Sequence, residues 1–159
     1  MKKCAELLAG HFEQEGLHYG MEVQESGEII FMGVMGGFEG AFSTFNFYVV
    51  VEDDVIKGMA ILPFSITGDF RAAVSELITH INYKLKYGRF EMDYEDGEVR
   101  YRVCLPAFGI NGHIEEYVRL LLHLPLEMVG DWAQAFSDVA LKGRSPKKIA
   151  AASFKRLKV

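Results

Sequence analysis

Residues 44 to 51, Thr-Phe-Asn-Phe-Tyr-Val-Val-Val, constrain the fold of this chain more than any other stretch. Phe45, Phe47, Val49 and Val51 alternate with Thr44, Asn46, Tyr48 and Val50. A strand sends successive side chains to opposite faces, so the pattern predicts a sheet with one covered face and one wetter face. The β-forming stretches here span residues 19 to 24, 28 to 35, 42 to 51 and 55 to 63, with Ser26-Gly27 and Asp53-Asp54 as tight turns between them. An antiparallel meander is the economical arrangement. A second hairpin is expected where residues 90 to 94 and 98 to 105 flank Glu95-Asp96-Gly97, because Asp-Gly between alternating residues is a strong hairpin signal.

The remaining segments carry helical periodicity. From Lys2 to Gly16, Leu7, Leu8, His11 and Phe12 share a face that Glu6, Glu13 and Glu15 largely avoid. Thr67-Gly68-Asp69 offers capping oxygens ahead of Phe70, Val74, Leu77, Ile78, Ile81 and Leu85, with Lys84 and Lys86 near the expected end and Gly88 to close it. A long pattern runs from about His113 to Lys142, and Pro125 and Gly130 predict a kink within it. Ser145-Pro146 then opens a short basic helix. The expected fold is α+β, an antiparallel sheet packed on helices in the order α-β-β-β-β-α-β-β-α. Residues 1–143 form one domain and 144–159 a basic tail, and at 159 residues a single core suffices.

Charge narrows the choice of partners. Residues 1 to 141 hold 10 Lys and Arg against 22 Asp and Glu, a net of −12, whereas the last 18 residues carry seven positive charges and no acid. Body and tail attract each other, and nucleic-acid binding through the main surface is disfavoured. The tail alone has only a weak apolar face, from Ile149, Phe154 and Leu157. No uncharged run approaches the ~20 residues of a membrane span. The opening Met1-Lys2-Lys3-Cys4 leads into an amphipathic pattern with glutamates, so the expected location is the cytoplasm. Cys4 and Cys104 are then two free thiols, the second expected to be buried in its strand.

Chemistry-bearing constellations are sparse. Gly33, Gly36, Gly37 and Gly40 suggest a loop whose amides could cradle phosphate, but such a loop needs a helix after it, and residues 41 to 51 are β-forming. The same glycines, with Phe38 and Phe42, define the alternative reading, a small-molecule or nucleotide-binding domain. The histidines, His11, His18, His80, His113 and His123, lack zinc-hydrolase spacing, and no metal or cofactor is expected. Glu76 and His80 are spaced to pair on a helix surface. Cys104, followed by Leu105-Pro106, has no activating neighbour in sequence. Glu91, Asp93 and Glu95 alternate with Phe90, Met92 and Tyr94, which gives a solvated acidic face, or a seat for the basic tail. No catalytic set emerges.

The long helical pattern carries more apolar surface than one contact requires. Val118, Leu121, Leu122, Val129, Trp132 and Phe136 make one stripe, and Tyr117, Leu120, Leu124 and Met128 make a second. One stripe can cover the sheet. The second is expected to meet another polypeptide, most simply a second copy across a twofold axis, the alternative being a helix fully buried under the tail.

Ile81-Asn82-Tyr83, Gly88-Arg89-Phe90-Glu91-Met92-Asp93 and Asp96-Gly97-Glu98-Val99-Arg100-Tyr101-Arg102 resemble the YbjN family, small bacterial proteins labelled regulators of sensory transduction. Asp131 to Phe136, Val139 and Gly143-Arg144-Ser145-Pro146 extend the similarity over roughly the carboxyl-terminal half. The family is similar in fold to type III secretion chaperones, acidic homodimers that hold extended segments of other proteins. The resemblance therefore implies a non-enzymatic homodimeric adaptor for an unidentified protein or peptide segment. It brings no catalytic residues, and the basic tail departs from its pattern.

Overall fold

A computed structural model describes residues 1–157 as one antiparallel sheet with helices gathered against a single face. The chain begins with helix α1 (Lys2–Gln14), then runs through strands β1 (Gly20–Val23), β2 (Ile29–Gly36), β3 (Thr44–Val51) and β4 (Val55–Ile61). Helix α2 (Arg71–Asn82) and the hairpin β5 (Arg89–Met92) and β6 (Val99–Pro106) follow. Helices α3 (Ile114–Val118), α4 (Leu124–Ala140) and α5 (Pro146–Leu157) complete the order. The six strands are arranged β1-β2-β3-β4-β6-β5, every neighbouring pair antiparallel. The α+β class and the element order agree with the sequence reading.

Alternation along β3 sorts the two faces as predicted. Phe45, Phe47, Val49 and Val51 are buried, and Phe31, Ile56, Ala60, Tyr101 and Val103 of the other strands join them. The helices close over this face. Phe12 of α1 meets Phe31 edge to face at 5.5 Å, Phe136 of α4 lies 5.0 Å from Phe90, and Val74, Leu77 and Ile81 of α2 are buried. Each such side chain contributes about 1.5–3 kcal/mol relative to exposure.

The long pattern from His113 forms one continuous run with a π-helical turn, Arg119–His123, between α3 and α4. The irregularity lies just before Pro125, where the missing N–H frees a carbonyl one turn back. Gly130 sits inside α4 without breaking it. The π turn rests directly on the sheet, because a Cβ at Gly58 of β4 would stand 1.9 Å from the Leu121 carbonyl oxygen. Only glycine permits that approach.

Three local expectations are corrected. No side chain of Thr67-Gly68-Asp69 caps α2, and a 3₁₀ turn (Gly68–Phe70) precedes it instead. The helix stops at Asn82, well before Gly88, because the Asn82 side chain leaves the helix pattern to clasp β5. Its Nδ2 donates to the Phe90 carbonyl at 2.9 Å, and its Oδ1 accepts from the Phe90 N–H at 2.9 Å. Finally, the division between residues 1–143 and a tail from 144 has no counterpart in the packing. Ala150, Ser153 and Phe154 of α5 are buried, with Phe154 edge to face on Trp132 at 4.9 Å and Lys84 Nζ over its ring at 4.3 Å. Lys158, the last of the seven cations, lies outside the described residues.

Candidate functional site

The expected interface on the long helix loses its premise. Leu120 is 6% exposed, and Tyr117, Leu124 and Met128 are half-buried against the core of the same copy. Helix α1 packs beside α3. The Tyr117 hydroxyl donates to the Pro106 carbonyl at 2.7 Å, and burial raises its pKa, with Cys4 and Glu116 nearby adding to the effect. Glu15, just past the end of α1, reaches His123 at 3.2 Å and His11 at 3.3 Å. The reading of a surplus stripe assumed that only the sheet lies against this helix, whereas α1 covers one flank and α5 packs along α4. Tyr117, Leu120, Leu124 and Met128 therefore do not require a partner.

The glycine cluster is not a single loop. Gly33 and Gly36 belong to β2, and a Cβ at Gly33 would stand 2.7 Å from the Phe47 ring, so packing accounts for that glycine. Gly37 and Gly40 do occupy the β2–β3 connection, with φ of 93° and 118°. The connection is held down by Phe38 on Phe45 at 5.0 Å and by Phe42 on Phe64 at 5.2 Å. The hollow beside it, about 250 Å³, is lined by Glu39, Glu127 and Asp131 as well as Phe38 and Gly130. Burial raises the Asp131 carboxyl against the opposing charge of Arg156. Three carboxyl groups around a loop repel a phosphate.

Elsewhere, Cys104 is exposed where burial was expected, because it occupies the outward register of β6, opposite Lys57. Glu91 is drawn into a cage rather than a solvated acidic face: Arg100 Nε lies 2.7 Å away, Arg102 Nη2 2.8 Å and Arg89 Nε 3.5 Å. Desolvation alone would raise this carboxyl, but the Arg100 hydrogen bond and the three guanidinium charges outweigh it and hold it below its ordinary range. Among the described residues, the basic segment does not dock there. Its cations meet Asp138 instead, through Lys142 at 2.7 Å and Arg144 at 3.1 Å, and Arg156 donates to the Asp131 carbonyl at 2.7 Å. The Lys142 hydrogen bond, helped by Gln134 and Arg144, lowers the Asp138 carboxyl despite partial desolvation. His80 lies 3.5 Å from Glu76 on the surface of α2. Among the described residues, no group of three His, Cys, Asp or Glu is placed to hold a metal ion, and no helix is long and apolar enough to cross a membrane.

Among the described residues, two apolar surfaces of the sheet are open. The first is the edge strand β1, paired only with β2. Met21 and Val23 are 59% and 63% exposed, and with Met1, Ala5, Ala9 and Ile29 they line an apolar hollow of about 460 Å³ between α1 and the sheet edge. The second is the outward face of the sheet, where Val34 is 62% exposed and Ile30, Met32, Tyr48, Met59 and Ile61 are half-buried by one another. The alternation of residues 44 to 51 signalled that such a face exists. Its apolar character was legible only once the register set Met32, Tyr48 and Met59 side by side. No family model, no curated protein and no solved structure matches the chain.

Proposed function

We propose that this protein is a non-enzymatic protein-binding module, an adaptor or chaperone-like homodimer that receives an extended segment of another protein along β1. The observation that carries this reading is the edge of β1 beside the apolar hollow. An edge strand presents unpaired N–H and C=O groups, and an incoming strand satisfies them while its alternate side chains enter a neighbouring groove. Here the groove is formed by Met21, Val23 and the Ala5–Ala9 side of α1. Glu6 and Lys2 at its rim leave room for either sign of partner charge. The resemblance of residues 81 to 102 to the YbjN family, and through it to secretion chaperones, supports the same reading. So does the structural role of the resembling residues, which clasp and pair with each other and hold the hairpin onto α2.

The test is affinity capture from a bacterial lysate with the wild-type chain and with a Met21→Asp, Val23→Asp variant. Both side chains are largely solvated, so the fold tolerates the change. Proteins retained by the wild type and lost with the variant support the edge as the site. An unchanged set of retained proteins contradicts it.

A further inference from the structure

We infer that the strand received along β1 is of one chemical kind, an extended segment in which basic residues alternate with apolar ones. The inference rests on the preceding reading of the β1 edge as the binding site and names the partner chemistry that this edge selects.

The strand register fixes which groups meet the partner. The Gln24 N–H donates to the Glu28 carbonyl at 2.9 Å, so these two residues form a hydrogen-bonded pair at the end of the β1–β2 ladder. Hydrogen-bonded and non-hydrogen-bonded pairs alternate along an antiparallel ladder. The N–H and C=O groups of Gly20 and Glu22 therefore face β2, and those of Met21 and Val23 face the open edge. The two residues whose side chains line the hollow are thus the two whose main-chain groups await a strand. An incoming residue paired with either one puts its side chain on the same face, beside the hollow. Ile29 and the small Ala5 and Ala9 bound that space along with Met21 and Val23, so these partner positions are apolar.

The alternate incoming residue lies beside Glu22 on the outward face, and there the charge is one-sided. Glu22 accepts from Gln24 Nε2 at 2.8 Å and Glu28 from Ser26 Oγ at 3.3 Å, neutral donors that leave both charges uncompensated. Glu25 stands exposed at the turn between them. Along the outward row of Glu22, Ile30 and Val50, the first cation is Lys57 on β4, and it pairs with Glu52. Between Lys3 and Lys57 the sequence holds ten Asp and Glu and no Lys or Arg. On the helix side Lys2 and Glu6 offset each other, so the outward face decides the sign. Opposite charges facing each other across a strand pair stabilise it, and like charges destabilise it.

A second copy is a poor occupant of this edge. Its β1 would bring Glu22, Glu25 and Glu28 against the same three residues, and its far edge is closed. There the Asp93 N–H donates to the Glu98 carbonyl at 2.9 Å, which by the same alternation turns the Phe90 N–H and C=O outward, and the Asn82 side chain satisfies both.

Fluorescence anisotropy at physiological ionic strength, with the full chain and three labelled heptapeptides, tests this. The peptides are Lys-Val-Lys-Val-Lys-Val-Lys, its acidic counterpart Glu-Val-Glu-Val-Glu-Val-Glu, and Lys-Lys-Val-Val-Val-Lys-Lys, which keeps the basic composition and loses the alternation. The alternating basic peptide should bind at least tenfold more tightly than either of the others. Met21→Pro removes an edge N–H that β2 does not use and should weaken that binding at least tenfold. Glu22→Lys should bring the acidic peptide ahead of the basic one. Equal binding of the two basic peptides, no binding of any peptide, or a basic preference that survives Glu22→Lys overturns the inference. An acidic peptide that binds best to the wild type and is lost with Met21→Pro overturns the assigned chemistry and leaves the edge as the site. Binding that is unchanged by Met21→Pro, with the far-ultraviolet circular dichroism of the variant also unchanged, overturns both.

Discussion

The two faces of the central sheet are made from the same strands and obey opposite rules. On the helix side Phe45, Phe47, Val49, Ile56 and Ala60 are fully enclosed, and at Gly58, where a side chain would not fit, the π turn of the long helix comes down onto the backbone. On the other side Tyr48, Val50, Met59 and Ile61 of those same strands are half-buried and stand outside the core cluster. The lesson is that apolar surplus is better located by asking what covers each face than by counting stripes on one element. The long helix looks overloaded in isolation, yet α1, α2 and α5 press on it beside the sheet, while the sheet looks half-polar in sequence and carries the uncovered patch.

The sharpest way to break the contrast is at Gly58. Gly58→Val places atoms inside the Leu121 backbone, and we expect a loss of about 3 kcal/mol or more, or no stable fold, read from the urea midpoint. Next is the docked terminal helix: Phe154→Ala removes the partner of Trp132 and should cost about 3 kcal/mol, whereas a dispensable tail would cost almost nothing.

The arginine cage predicts a smaller, pH-dependent effect. Glu91 is held below its ordinary value, so its pairing stabilises the fold fully above the unfolded value of about 4.3 and less as pH falls through the lower folded value. Glu91→Gln should therefore cost roughly 0.5–1 kcal/mol at neutral pH, after allowance for solvent screening. Urea titrations of both proteins should converge as the pH drops below 4.3 toward the folded value. If their difference persists at low pH, the pairing is not its source. The smallest effect belongs to the open face: Met59→Ser, measured on dilute monomer, should change stability by no more than about 0.5 kcal/mol. A larger loss would show that Met59 serves the interior of one copy.

Much of the fold was legible from period alone. The strands of the meander and the Asp-Gly hairpin fall within one or two residues of their expected bounds, because alternation and turn residues are local signals. The misses are all tertiary. Nothing local reveals that Asn82 ends α2 by clasping Phe90, or that Cys104 falls on the outward register of β6. Nor can spacing show that Leu120 is buried against its own chain, since enclosure depends on where α1 and α5 come to rest. Gly33 was grouped with a loop by its neighbours in sequence, whereas its position in β2 is set by the Phe47 ring across the strand pair. The partner hollow combines β1 with α1, elements of which neither is distinctive alone.

The edge of β1 supplies the most direct probe of the account, since Met21 and Val23 are exposed beside the apolar hollow that α1 also lines. Proteins that the wild-type chain captures should be lost with Met21→Asp, Val23→Asp while the urea midpoint of the variant stays unchanged. A variant that holds the same proteins as the wild type would contradict the account.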